Sequence, residues 1–150
     1  APVVRTTWSG RAPGVFTVGG RAADFGALVR TGATIDVRYR VESHPQQSVR
    51  VGLFCEAPYG NHAPLDGSSP PIDWAQCGSS TGALLDMTAR FTAAPLGSWQ
   101  TVSIPLACFT GNGASLARVS AAFAVATSGK FAVSFSDIGI TRNAGKSSCH

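Results

Sequence analysis

The sequence predicts an all-β fold in which two antiparallel sheets pack face to face. Apolar residues alternate with polar ones almost throughout, and nowhere recur with a convincing helical period. Only 13% of residues are charged, and 17 glycines and 9 prolines interrupt the 150-residue chain, a composition typical of many short strands joined by turns. At 44% hydrophobic, that length supports one ordinary core, hence a single domain over residues 1–150.

The strand candidates follow in chain order. VVRTTW at 3–8 and GVFTV at 14–18 are short and bounded by Gly, Pro or Ser. In ATIDVRYRVE, residues 33–42, Ile35, Val37, Tyr39 and Val41 share one face, while Asp36, Arg38, Arg40 and Glu42 share the other. Such a strand lays one side on a core and the other in water. SVRVGLFCE, residues 48–56, repeats the pattern with Val49, Val51, Leu53 and Cys55 inward.

ALLDMT at 83–88 is another short candidate. SWQTVSIPL, residues 98–106, groups Val102, Ile104 and Leu106, and by the same parity puts Trp99 with Thr101 and Ser103 on the polar face. A tryptophan opening a strand also often covers the end of a core, and that structural role is the expectation for Trp99. AAFAVAT at 121–127 and KFAVSFSDIGI at 130–140 complete the set. In the last, Phe131, Val133 and Phe135 point inward until the parity switches at Asp137, where a bulge or an ion site is expected.

Several functional classes are excluded early. The formal charge of +4 comes from twelve basic and eight acidic residues, the arginines scattered singly instead of forming a basic stripe, so no nucleic-acid partner is expected. No apolar run approaches the roughly 20 residues that span a bilayer, and no charged start followed by an apolar stretch precedes Ala1. The expectation is a soluble, mature secreted product or an excised module. Cys55, Cys77, Cys108 and Cys149 show no metal-ligand spacing and read as two disulfides formed in an oxidising compartment, extracellular or periplasmic. Three connectivities are open; the expected one joins Cys55 to Cys77 and Cys108 to Cys149. Closing a loop of about 20 residues stabilises a fold by about 3 kcal/mol in the chain-entropy view.

The aperiodic segment APYGNHAPLDGSSPPIDWAQCGSSTG, residues 57–82, breaks the strand pattern. Loops longer than about 12–15 residues without their own structure tend to carry function. Trp74 and Tyr59 offer flat rings to the C–H face of a sugar, and Asn61, His62, Asp66, Asp73 and Gln76 offer planar or charged groups to its hydroxyls. The competing role for Trp74 is a plug on the sandwich edge. Arg38 and Arg40, on the polar face of their strand, either line a sheet-face cleft with Trp99 or simply solvate it. No catalytic residues are assigned: Asp66 and Asp73 are the only acids close together in a loop, and no recognised motif surrounds them.

TWSGRAPGVFTVGG, GATIDVRYRVESHP, LLDMTARFTAAPLGSWQTVSIPLACF and GASLARVSAAFAVATSGKFAVSFSDIGI resemble, in that order, the ExoP-type C-terminal domain of family 3 glycoside hydrolases. The likeness covers most of the chain. It rests on Trp-Ser-Gly at 8–10, Arg-Tyr-Arg-Val at 38–41, Pro-Leu-x-Cys-Phe at 105–109 and Ser-Phe-Ser-Asp-Ile at 134–138. The resemblance implies a galactose-binding-like jelly roll, non-catalytic and appended to a glycoside hydrolase whose chemistry lies in other domains. It further implies a polysaccharide partner of the plant cell-wall β-glucan type, mixed-linked glucan or xyloglucan. Asp137 is similar to an acid that holds one structural calcium ion in sugar-binding jelly rolls, with Asp24 or Glu42 as a further oxygen donor. The segment between Cys55 and Cys77 is longer and richer in aromatic and acidic residues than the corresponding turn of that family, so its role rests on its own residues. The alternative function is a structural or dimerisation domain of a family 3 hydrolase with no sugar site of its own.

Overall fold

The computed structural model describes residues 2–55, 77, 83–142 and 149. Strands β1 (Val4–Ser9), β8 (Lys130–Thr141), β3 (Thr34–Ser43) and β6 (Trp99–Pro105) lie side by side in one antiparallel sheet. Strands β2 (Gly14–Ala23), β7 (Val119–Thr127), β4 (Val49–Cys55) and β5 (Leu84–Asp86) form the other. Non-consecutive strands are neighbours in both, so the polypeptide crosses from sheet to sheet and the two are locked together by the chain path as well as by packing.

The period-two pattern is realised where it was clearest. In β3, Ile35, Val37, Tyr39 and Val41 are buried; in β4, Val49, Val51, Leu53 and Cys55 are buried. Phe131, Val133 and Phe135 of β8 point into the same core. The sheets meet through aromatic rings: Phe135 stacks on Phe16 of β2 and receives Phe123 of β7 edge-on, with centroids 5.6 and 5.2 Å apart. Trp8 of β1 is also core, stacked on Phe131.

The switch of parity in β8 is a bulge. Arg38 pairs with Ser136 but Asp36 pairs with Gly139, so the partner strand carries an extra residue between them. Asp137 sits there at φ +53, a left-handed conformation that Asp tolerates better than most residues. Beyond it, Ile140 pairs with Ile35.

Among the described residues, three short helices depart from the all-β expectation: α1 (Gly26–Arg30), α2 (Thr88–Ala93) and α3 (Ala107–Gly111). At five or six residues none completes two turns, so none displays the i, i+4, i+7 repeat that reveals a helix in sequence. Helix α2 buries Phe91 between Tyr39 and Phe131. It is clasped to β4 by a short relay: the Val49 N–H donates to Thr88 Oγ1 at 2.9 Å, and the Thr88 hydroxyl donates to Asp86 Oδ1 at 2.5 Å.

Disulfides join Cys55 to Cys77 and Cys108 to Cys149, spanning 22 and 41 residues. Among the described residues, no helix is long and apolar enough to cross a membrane.

Candidate functional site

Strand parity turns one set of side chains outward on the β1-β8-β3-β6 sheet, and strand order then decides which of them become neighbours. Arg5 lies beside Ser134, Ser134 beside Arg40, and Arg40 beside Trp99, in one row across all four strands. The next row places Ser136, Arg38 and Thr101 together, and the one after it Gly139, Asp36 and Ser103. Among the described residues of these three rows, the side chains are mostly polar and the one large aromatic is Trp99 at the β6 edge.

Trp99 is half-buried, and guanidinium groups cover part of its indole: Arg38 Cζ lies 4.7 Å and Arg40 Cζ 4.8 Å from the ring centroid. Arg40 Nε also donates to Glu42 Oε1 at 2.6 Å. These contacts fix two long side chains that would otherwise move freely, so the guanidinium donors and the ring are held ready. The Ser134 hydroxyl in the same row is buried and has no hydrogen-bond partner.

The expectation that Trp99 covers the end of the core is corrected by this register: the indole stands on the outer face, as parity alone indicates, and the cation–π contacts hold it there. Arg38 and Arg40 stand on that outer face beside Trp99. Arg5 and Ser134 were missed. Their outward parity is readable, but their adjacency to Arg40 is not, because they stand far from it in the chain.

Trp74, Tyr59, Asn61, His62, Asp66, Asp73 and Gln76 lie outside the described residues. The segment that carries them leaves β4 at Cys55 and returns through Ala83 to β5, both in the second sheet. The outer face of that sheet has its own row, Val15, Ala126, Arg50 and Asp86, which floors a groove of about 580 Å³.

The acids expected to hold calcium, Asp137 and Asp24 with Glu42 as an alternative donor, all lie among the described residues. Asp24 Oδ1 accepts the Gly26 N–H at 2.8 Å, closing the turn into α1, and Asp137 occupies the bulge with its side chain exposed. Glu42 is engaged by Arg40. Among the described residues, no group of three or more His, Cys, Asp or Glu side chains stands together.

Asp36 is the acid built into the face. Burial pushes its carboxyl up, but hydrogen bonds from Thr141, Ser103 and Thr34 outweigh that and hold it below the usual carboxylate value. Asp86 is likewise lowered, by the Thr88 hydroxyl and then the Thr88 N–H, against a smaller push from burial and with help from the Arg50 charge. The unfolded chain therefore binds protons first as pH falls. The stabilisation is complete well above the unfolded carboxylate value of about 3.9 and is lost as pH drops through the lower folded values. The urea midpoint is expected to fall on acidification below about pH 4, and Asp36→Asn to fall less steeply than the parent. Equal slopes would show that Asp36 contributes nothing to the acid response.

Residues 3–140 match the model of the Exop_C family, described as galactose-binding domain-like. A comparison with curated proteins finds no match. Among solved structures, the chain is similar to the extra C-terminal domain of an exo-1,3/1,4-beta-glucanase (ExoP) from a Pseudoalteromonas species, at 12% identity and a TM-score of 0.57 over 93% of this chain and 62% of that one. The whole glucanase superposes with a TM-score of 0.60 at 14% identity, over 93% of this chain but 14% of the enzyme. The family 30 carbohydrate-binding module of a cellulosomal cellulase of Clostridium thermocellum superposes with a TM-score of 0.62 at 15% identity, over 96% of this chain and 76% of that one. The chain thus spans less than two thirds of the first two, and at such identities the likeness is one of fold: a galactose-binding-like β-sandwich.

Proposed function

Because the chain belongs to the galactose-binding domain-like Exop_C family, we propose that it is a non-catalytic carbohydrate-binding module that keeps an attached glycoside hydrolase close to a β-glucan. The observation that carries this reading is the row Arg5, Ser134, Arg40 and Trp99. It combines the three things a sugar chain needs from a protein surface. The indole and the guanidinium planes present flat surfaces to the C–H faces of the rings. The guanidinium N–H groups donate to hydroxyls, and the polar side chains along the same face offer further hydrogen-bond partners. Because cation–π contact already orders Arg38 and Arg40, little side-chain entropy is lost on binding. The β-glucan assignment draws on the enzyme whose accessory domain shares the fold. The two disulfides suit the extracellular or periplasmic space in which such polymers occur.

The test is affinity electrophoresis in gels cast with soluble mixed-linked β-glucan, with xyloglucan, or with no polysaccharide. The intact chain is expected to be retarded, and Trp99→Ala to bind about tenfold more weakly, equivalent to 1.4 kcal/mol, with unchanged folding. Retardation that survives Trp99→Ala and disappears in Trp74→Ala would transfer the site to the loop between β4 and β5. No retardation in any gel would leave a structural accessory domain of the hydrolase as the function.

A further inference from the structure

The direction of one guanidinium on the outer face is set by an acid at the border of that face. Glu42 follows Arg40 by two residues on β3, and its Oε1 accepts from Arg40 Nε at 2.6 Å. Arg40 in turn places its Cζ 4.8 Å from the ring centroid of Trp99, its cross-strand partner. Acid, guanidinium and indole thus form a chain of contacts in which Glu42 stands furthest from the ring.

The backbone is shaped for this chain at two points. Val41 pairs with Val133 of β8 but Ser43 pairs with Ala132, so β3 carries an extra residue here and Glu42 stands in a bulge. A bulge bends its strand and re-aims the side chain it carries. Beside it, the Gly97 N–H donates to Val41 O at 2.9 Å, which ties the turn entering β6 to the same point of β3. Trp99 opens β6 directly after that turn, so all three side chains are anchored to one short stretch of main chain.

The bond at Nε leaves the terminal Nη groups of Arg40 as donors for sugar hydroxyls. The side chains of Arg40 and Glu42 keep 33% and 18% of their exposure, so water and a ligand both reach the pair. An ion pair this accessible adds little to folding. What it changes is the number of conformations Arg40 samples before a ligand arrives. Arg38 offers a comparison within the same site: its Cζ lies 4.7 Å from the same ring, yet among the described residues it forms no ion pair.

We infer that Glu42 is a positioning residue of the saccharide platform: without touching the ligand, it holds the Arg40 guanidinium over Trp99, so that ring and donors present one surface to a sugar. The ligand class rests on the function proposed above, whereas the hold of Glu42 on Arg40 rests on the bulge and the contact distances.

The test compares the intact chain with Glu42→Ala and Glu42→Gln through two readouts. NMR of the arginine Nε–Hε and Cδ protons reports where Arg40 lies, because the ring current of an indole shifts protons above it upfield. Retardation in the mixed-linked β-glucan gel reports binding. Glu42→Ala is expected to return the Arg40 shifts to those of a free arginine and to leave those of Arg38 in place. It should also weaken retardation about three- to fivefold, the size of an exposed pair's coupling. Glu42→Gln keeps an oxygen that accepts the Nε–H, and is expected to preserve both readouts. Arg40 shifts that persist in Glu42→Ala would overturn the proposal, and if retardation falls all the same, Glu42 touches the sugar itself. Arg40 shifts lost with no change in retardation, or Glu42→Gln as weak as Glu42→Ala, would overturn it while leaving the platform standing. An intact chain that no polysaccharide retards would overturn the function proposed above and the part of Glu42 in it together.

Discussion

Phe131→Ala is expected to destabilise the fold by about 3–5 kcal/mol. Phe131 has no solvent exposure, and its ring ties three elements together. It stacks on Trp8 of β1 with centroids 5.6 Å apart, and it receives Phe91 of α2 edge-on at 5.4 Å. Truncation removes the ring's own burial and leaves a hole between a strand and a helix that are both anchored elsewhere. Trp8 is held by β1 pairing and α2 by the Asp86–Thr88–Val49 relay, so the walls cannot close over the space. Against a total stability of about 5–15 kcal/mol, such a loss removes much of the margin. Urea unfolding followed by tryptophan fluorescence measures it directly. Phe131→Leu, which keeps most of the volume, is expected to lose much less. A loss in Phe131→Ala of under about 1.5 kcal/mol, the range of volume-conserving swaps, would show that α2 moves in to fill the hole.

Gly52→Ala is the second large effect, and its cause is backbone, not burial. A Cβ at residue 52 would lie 1.8 Å from the Ala83 carbonyl oxygen and 2.8 Å from its carbon, with Leu84 Cα at 3.0 Å. Every one of these neighbours is main chain, so no rotamer change relieves the overlap. The segment entering β5 must lift away from β4. It then loses the bond from the Leu53 N–H to Ala83 O, and it uncovers Ala83 and Leu84, which are fully or almost fully buried. The expected loss is about 3 kcal/mol or more, at the upper end of what overpacking costs. Gly111→Ala, near the end of α3, is the control: nothing lies within 4 Å of its added Cβ, and reduced unfolded-state freedom should make it neutral or stabilising by up to about 1 kcal/mol. Hydrogen exchange at the Leu53 amide separates the two explanations for any loss in Gly52→Ala. Exchange accelerated there ahead of the β3–β8 pairing indicates a lifted β5, whereas uniform acceleration indicates global destabilisation.

Nothing in the neighbouring residues Leu53 and Val51 announces that constraint at Gly52. In sequence, Gly52 sits within a strand that alternates well, and only the approach of Ala83 and Leu84 from the next strand makes its missing side chain necessary. The row Arg5, Ser134, Arg40 and Trp99 is of the same kind. Each residue's outward parity is visible in its own strand, yet the four come from four strands whose order is β1, β8, β3, β6. Helix α2 escaped notice because six residues are too few to show a period.

By itself, the sequence determined the fold class, the inward set of β3 and β4, the inversion at Asp137 and a resemblance that names the family. All of these are local or ordered patterns: alternation follows from the two-residue repeat of an extended chain, and it survives wherever one face must leave water. Tertiary structure alone decided which polar faces adjoin, that two guanidinium groups share the Trp99 ring, that Ser134 and Arg90 are left with buried unpartnered atoms, and that β5 lies against Gly52. The reason is that strand order and close approach are set by long-range packing between segments distant in the chain, where many sequences with the same alternation would pair differently.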